Sequence, residues 1–156
     1  MSQGSMNRGL ITRRSALASG IGAASLLALR APAFATPTEL AGAIAEFTGN
    51  APVQRGRVKL DLSPLVENGN SVSVSVKADS PMTVQDHVRA IAIFTEQNPQ
   101  PNVITVRLGP RAGRAFVNTR MRLATSQKVI AVAGFSDGSF WSDQVDVIVT
   151  LAACVE

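Results

Sequence analysis

The stretch SVSVSVKA, residues 71–78, decides the fold class of this chain. Val72, Val74 and Val76 recur at every second position, and serine or lysine fills the positions between and after them. Successive side chains of a β-strand point to opposite faces, so this alternation predicts a strand with one buried and one solvated face. Pro81 then breaks the pattern, because proline cannot donate a hydrogen bond to a neighbouring strand.

Six further segments predict strands, because each is rich in strand-forming residues and is bounded by Gly, Pro, Asn or Asp. They are residues 57–62, 88–95, 103–108, 115–123, 128–135 and 140–151. Phe140 and Trp141, which open the last segment, are interpreted as core residues. No helical run of useful length separates the segments. About seven short strands joined by turns, including ENGN at residues 67–70, predict an all-β, immunoglobulin-like sandwich.

A short amphipathic helix is predicted ahead of the strands. Thr36 and Glu39 have the spacing of a capping box, with Pro37 at the first helical position. Apolar residues then recur on one helical face until a stop at Gly49. These apolar residues are Leu40, Ile44 and Phe47. We expect the helix to pack on the body of the sandwich.

The first 35 residues have the features of an export signal. A twin-arginine pair, Arg13-Arg14, precedes an uncharged apolar run at residues 16–29, and Ala33-Phe34-Ala35 has the pattern of a cleavage site. The apolar run is shorter than the roughly 18 residues that cross a bilayer. We therefore expect export by the twin-arginine pathway, cleavage after Ala35, a periplasmic location and no membrane association afterwards.

The net positive charge belongs to this leader. The chain has 15 basic and 11 acidic residues, and four arginines but no acidic residue lie in residues 1–35. The remaining 121 residues therefore carry 11 charges of each sign, whereas nucleic-acid binding requires a basic surface. A chain of this length can bury one core. We predict one domain over residues 36–151 and a flexible C-terminal cysteine arm over residues 152–156.

Few side chains could support catalysis. The only histidine, His87, follows Asp86 in a predicted loop, and we interpret this pair as surface residues because a catalytic base must lie beside a nucleophile. Metal sites need clustered ligands, whereas Asp137, Asp143 and Asp146 are dispersed. The sequence therefore predicts no catalytic residue, no metal site and no cofactor.

Cys154 is the only cysteine, and it follows the last predicted strand. Chain ends are usually solvated, so we expect an exposed thiol without a partner in its own chain. In an exported protein such a thiol is either reactive or forms an intermolecular bond. Two interpretations follow from the residues: Cys154 is a free reactive thiol, or the chain is an interaction subunit whose Cys154 only forms an intermolecular disulfide.

Six segments, taken in order, resemble the SoxY family, the sulfur-carrier subunit of bacterial thiosulfate oxidation. They are EFTG at 46–49, KLDL at 59–62, ENGNSV at 67–72, DSPMT at 79–83, IFTEQNP at 93–99 and SDGSFW at 136–141. The resemblance covers residues 40–151. Together with the twin-arginine leader and the lone cysteine, the order of these segments is specific.

This resemblance implies an immunoglobulin-like carrier without catalytic activity, paired with a leaderless SoxZ-like sister subunit and exported with it. It implies that Cys154 covalently bears sulfur intermediates. It also implies that partner enzymes dock at the arm: a haem enzyme that attaches thiosulfate, a manganese hydrolase that releases sulfate and a molybdenum-dependent dehydrogenase. The family arm is typically Gly-Gly-Cys-Gly-Gly, whereas AACVE at residues 152–156 is stiffer and more negatively charged.

Overall fold

The computed structural model describes residues 34–153, and within them it contains one α-helix and nine β-strands. Helix α1 spans Pro37–Thr48. The strands are β1 (Val53–Arg55), β2 (Val58–Asp61), β3 (Leu65–Asn68), β4 (Val72–Ala78), β5 (Val88–Thr95), β6 (Asn102–Arg107), β7 (Phe116–Met121), β8 (Gln127–Phe135) and β9 (Phe140–Leu151). The predicted twin-arginine signal, residues 1–35, lies outside the described residues except for Phe34 and Ala35.

The strands form two sheets around a shared core. The larger sheet has the order β1-β9-β8-β5-β6, with β3 also paired to β9, and the smaller sheet has the order β2-β4-β7. The predicted all-β, immunoglobulin-like sandwich is therefore confirmed. The valines that alternate along β4 are all buried, as predicted, and they face Ile91, Val129 and Phe135 of the larger sheet in one apolar cluster.

Two strands, β1 and β3, were not predicted. They have only three and four residues, and both pair with β9 in parallel, at Phe140–Ser142 and at Ile148–Leu151. Glu67 and Asn68, predicted as part of a turn, instead end β3. Strands this short have no alternation to reveal them, and their stability depends on a partner strand far along the chain.

Helix α1 covers the outer face of the larger sheet. The predicted capping box forms, with the Glu39 amide donating to Thr36 Oγ1 at 3.3 Å and the Thr36 amide donating to Glu39 Oε2 at 2.6 Å. Phe47 packs edge-on against Phe94 and Phe140, with ring centroids 5.9 Å apart in both pairs. Leu40 of α1 forms a second apolar cluster with Ala92 and Phe94 of β5 and Val132 of β8. This cluster explains why β5 and β8 are apolar on both faces. Within residues 34–153, no helix is long and apolar enough to span a membrane.

Candidate functional site

Strand β9 carries the chain toward Cys154. Its antiparallel neighbour is β8, and the two short parallel strands pair with its beginning and its end. The last of these pairs, Asn68 with Leu151, brings the end of β9 beside the turn that joins β3 to β4. The residues before Cys154 therefore run along the body of the sandwich.

Three backbone hydrogen bonds hold this end of the chain in place, and we call the set the C-terminal anchor. The Gly69 amide donates to the Leu151 carbonyl at 2.7 Å, and the Leu123 amide donates to the Gly69 carbonyl at 2.9 Å. The Ala153 amide then donates to the Leu123 carbonyl at 3.1 Å. The Ala153 side chain is buried, with 6% of its surface exposed. The anchor thus joins the ends of β3, β7 and β9.

The anchor requires glycine at position 69, because a side chain would collide with the backbone there. A Cβ atom on Gly69 would lie 2.5 Å from the Leu123 carbonyl oxygen, 2.9 Å from the Ala153 nitrogen and 3.1 Å from Val149 Cγ1. The first two distances are shorter than any ordinary contact of a Cβ atom. Gly69 therefore allows three backbone segments to meet closely, which is a recognised use of glycine.

A polar pair braces the Leu123 side of the anchor. Asn98 donates from Nδ2 to the Arg122 carbonyl at 2.9 Å and accepts from the Ala124 amide at 3.0 Å. Gln127, which is 6% exposed, donates from Nε2 to Asn98 Oδ1 at 2.9 Å. The backbone on both sides of Leu123 is therefore held by side chains that are themselves hydrogen-bonded.

The C-terminal anchor reaches into the predicted arm. The arm was predicted to span residues 152–156, and of these Ala153 is buried and hydrogen-bonded. Cys154 itself lies outside the described residues. Covalent geometry alone places its Cα about 3.8 Å from that of Ala153, because the two residues share one peptide bond. Sequence reasoning missed this feature because Asn68-Gly69 is also a common turn signal, and the turn alone explained the glycine.

Apolar side chains are exposed around this end of the sandwich. Leu65 and Ile148 are directly paired across β3 and β9, and they are 57% and 61% exposed. Leu151, two residues before Ala153, is 60% exposed. Scattered exposed apolar residues are normal, but the directly paired Leu65 and Ile148 offer an apolar patch that another protein can cover, whereas Leu151 lies on the opposite face of β9.

Several of the other candidate polar residues have structural partners, whereas the buried Nδ1 of His87 has no hydrogen-bond partner within residues 34–153. Asp86 forms an ion pair with Arg57 at 3.6 Å, while the His87 amide donates to Ser136 Oγ at 3.1 Å, so the two neighbours act separately. Asp143 accepts from the Leu60 amide at 2.9 Å, which links the two sheets.

The hairpin acid Asp137 is also used structurally. It accepts hydrogen bonds from the side chain and the amide of Ser139, and these bonds lower the pKa of Asp137. Within residues 34–153, no three His, Cys, Asp or Glu side chains cluster in a way that could hold a metal ion.

Comparison with known proteins gives one family. The model of the family described as "Sulfur oxidation protein SoxY" matches residues 44–154, which is more than half of the chain. No curated protein matches. The solved structure of the sulfur carrier protein SoxY from Chlorobium limicola f thiosulfatophilum is 28% identical, with a TM-score of 0.63, and the match covers 74% of this chain and all of that one.

A second group of solved structures shares only the fold. The superoxide reductase (neelaredoxin) from Ignicoccus hospitalis is 16% identical, with a TM-score of 0.54, and the match covers 74% of this chain and 94% of that one. Sequence identity this low supports a shared fold but not a shared chemistry.

Proposed function

Because the chain belongs to the SoxY family of sulfur oxidation proteins, we propose that it is a carrier that holds sulfur intermediates covalently on Cys154. It presents them to partner enzymes and performs no catalysis of its own. The observation that carries the proposal is that the family match extends to residue 154 and so includes the only cysteine. The solved relative with 28% identity is named a sulfur carrier protein.

The chemistry on Cys154 follows from what the family resemblance implies. Joining the Cys154 thiol to the outer sulfur of the thiosulfate dianion forms a sulfur–sulfur bond and releases one proton to solvent and two electrons, and the haem enzyme accepts the electrons. Water then attacks the terminal sulfonate group, releasing sulfate and two protons and leaving one extra sulfur on Cys154. The carrier supplies only the nucleophilic sulfur, since it is the thiolate of cysteine that forms such bonds.

The anchor determines how a partner enzyme can reach this thiol. Only one peptide bond separates Cys154 from the hydrogen-bonded Ala153, so the thiol cannot travel far from the sandwich. An enzyme that acts on it must approach the body of the carrier and come close to the exposed Leu151. We therefore propose that partner enzymes dock onto the body itself rather than receiving a long flexible arm.

The carrier is proposed to act in the periplasm as a complex with a SoxZ-like sister subunit, exported with it by the twin-arginine pathway. Co-expression of both chains, followed by cell fractionation and affinity purification, tests this. We expect a stable complex in the periplasmic fraction, and replacement of Arg13 and Arg14 by lysine should keep both chains in the cytoplasm. Export of the sister subunit without this chain would contradict joint export.

Intact-mass analysis tests the carrier role. The complex is incubated with thiosulfate and periplasmic extract of the source organism, and we expect a mass increase of one thiosulfate group on this chain. Cys154→Ser is the matched variant, because it removes the thiol while keeping a side chain of nearly the same size. An adduct that survives in this variant refutes the proposal. A disulfide-linked dimer as the only product would favour the interaction subunit.

A further inference from the structure

A cavity of about 500 Å³ lies between helix α1 and the outer face of the larger sheet. Its floor contains the small residues Ala90 and Gly134, and Phe47 and Phe140 lie on one side. Small-molecule sites typically have volumes of about 300–1,000 Å³ and combine apolar walls with a few convergent polar groups. The size and the lining of this cavity fit that description.

A β-bulge turns Arg89 toward the cavity. The pairing of β5 with β8 shifts register between Val88 and Ala90, so Arg89 is the extra residue. Val88 is fully buried in the core between the sheets, whereas Ala90 lines the cavity on the opposite face. In a regular strand, residues 88 and 90 would share a face. The bulge instead places Arg89 and Ala90 together on the outer face, and bulges commonly redirect a side chain in this way.

A second arginine joins Arg89 from the neighbouring strand. Arg107 is paired directly with Ala90 across β5 and β6, and adjacent strands lie about 5 Å apart. Arg89 is fixed by its Nε, which donates to the Phe135 carbonyl at 3.0 Å and leaves its outer nitrogens available. Neither arginine forms an ion pair among residues 34–153, where the only pair is Arg57 with Asp86.

We propose that this cavity binds a small organic anion, with a carboxylate or sulfonate group held between Arg89 and Arg107. The planar guanidinium fork matches these acid groups with paired hydrogen bonds. The cavity is larger than an inorganic oxyanion needs, and Phe47 and Phe140 provide an apolar surface for the rest of the ligand. This site is separate from the proposed carrier role, and it does not involve Cys154.

Glu46 sets the charge that the ligand can have. It lines the cavity from the last turn of α1. Two positive charges from the arginines and one negative charge from Glu46 give the cavity lining a formal charge of +1. The site therefore favours a monoanion over a dianion. Removal of the Glu46 charge should strengthen anion binding, whereas it would weaken binding of a cation.

Titration of the full chain with three probes, followed by NMR of the Gly134 and Thr105 amides, tests the inference. Benzenesulfonate should bind, inorganic sulfate should bind more weakly, and neutral benzyl alcohol should bind weakest. Arg107→Gln should weaken benzenesulfonate binding about tenfold. Hydrogen bonds to charged groups are strong, and the loss of one such bond is enough to account for a tenfold loss of affinity. The Arg107 side chain forms no hydrogen bond within residues 34–153, and glutamine can keep the backbone pairing with Ala90, so the variant should remain folded.

Two matched variants complete the experiment. Arg111→Gln removes an exposed arginine that does not line the cavity, and it should leave binding unchanged. Glu46→Gln should tighten benzenesulfonate binding by a few fold. The inference is overturned if Arg107→Gln and Arg111→Gln have equal effects, if Glu46→Gln weakens binding, or if benzyl alcohol binds as well as benzenesulfonate. Cys154→Ser separates this site from the carrier role, because anion binding should be the same in that variant.

Discussion

Replacement of Gly69 by alanine should open the C-terminal anchor while leaving the rest of the sandwich folded. The added methyl group would lie 2.5 Å from the Leu123 carbonyl oxygen and 2.9 Å from the Ala153 nitrogen. Both atoms belong to the backbone, so neither can move aside as the end of a side chain would. The collision can be relieved only if the chain around Ala153 or Leu123 moves away.

The expected cost follows from these contacts. Overpacking a tight site typically costs about 1–3 kcal/mol. Loss of the hydrogen bond from Ala153 to Leu123 adds about 1 kcal/mol. We therefore expect Gly69→Ala to lower the free energy of unfolding by about 2–4 kcal/mol, which corresponds to a fall in Tm of roughly 10 °C for a domain of this size.

Urea unfolding and hydrogen exchange of the Ala153 amide measure the global and the local effect. Gly42→Ala is the matched control, because a Cβ atom there would have no neighbour within 4 Å. Gly42 lies inside α1, so alanine should raise stability by about 0.5–1 kcal/mol. If Gly69→Ala unfolds at the same urea concentration as the parent and its Ala153 amide stays protected, the account of the anchor is wrong.

Three further predictions concern the body of the sandwich. Thr36→Ala should lower the free energy of unfolding by about 1 kcal/mol in urea, because the capping box with Glu39 is lost, and no loss would contradict the cap seen in the structure. Asp137→Asn should remove a pH-dependent part of the free energy of unfolding. Hydrogen bonds from Ser139 lower the pKa of Asp137 in the folded state. The stabilisation by Asp137 is therefore complete above the ordinary aspartate pKa of about 4, and it is lost as the pH falls through the lowered pKa. The free energies of unfolding of parent and variant, measured in urea, should therefore differ most near neutral pH. A difference that grows as the pH falls would contradict this prediction. Phe94→Ala should cost about 3–5 kcal/mol, because Phe94 is fully buried, and thermal unfolding with an unchanged midpoint would refute that value.

Local patterns predicted the longer strands. The alternating valines of β4 and the long final strand β9 were both placed correctly, and the helix cap was read directly from Thr36 and Glu39. In each case the signal lies within one turn or one strand. The spacing of apolar and polar residues within one segment predicts such elements, because it indicates which face of the strand or helix is buried.

The features that involve distant parts of the chain could not be predicted in this way. The anchor joins Gly69, Leu123 and Ala153, which no sequence period connects. The bulge that turns Arg89 outward depends on the register of β5 against β8. The sequence shows an arginine inside an otherwise apolar strand. The position of this arginine beside the cavity could be inferred only when its neighbours across the sheet were known.

The position of β9 has a consequence for the order in which the protein is completed. β9 pairs with β8, β1 and β3, so the larger sheet stays incomplete until residues 140–151 have been synthesised. Contacts between segments this far apart form slowly, and unpaired strand edges remain exposed in the meantime. A nascent chain therefore completes the larger sheet only after β9, which ends three residues before Cys154, has been made. If the chain folds before it is exported, only chains that have been synthesised through β9 can be transported.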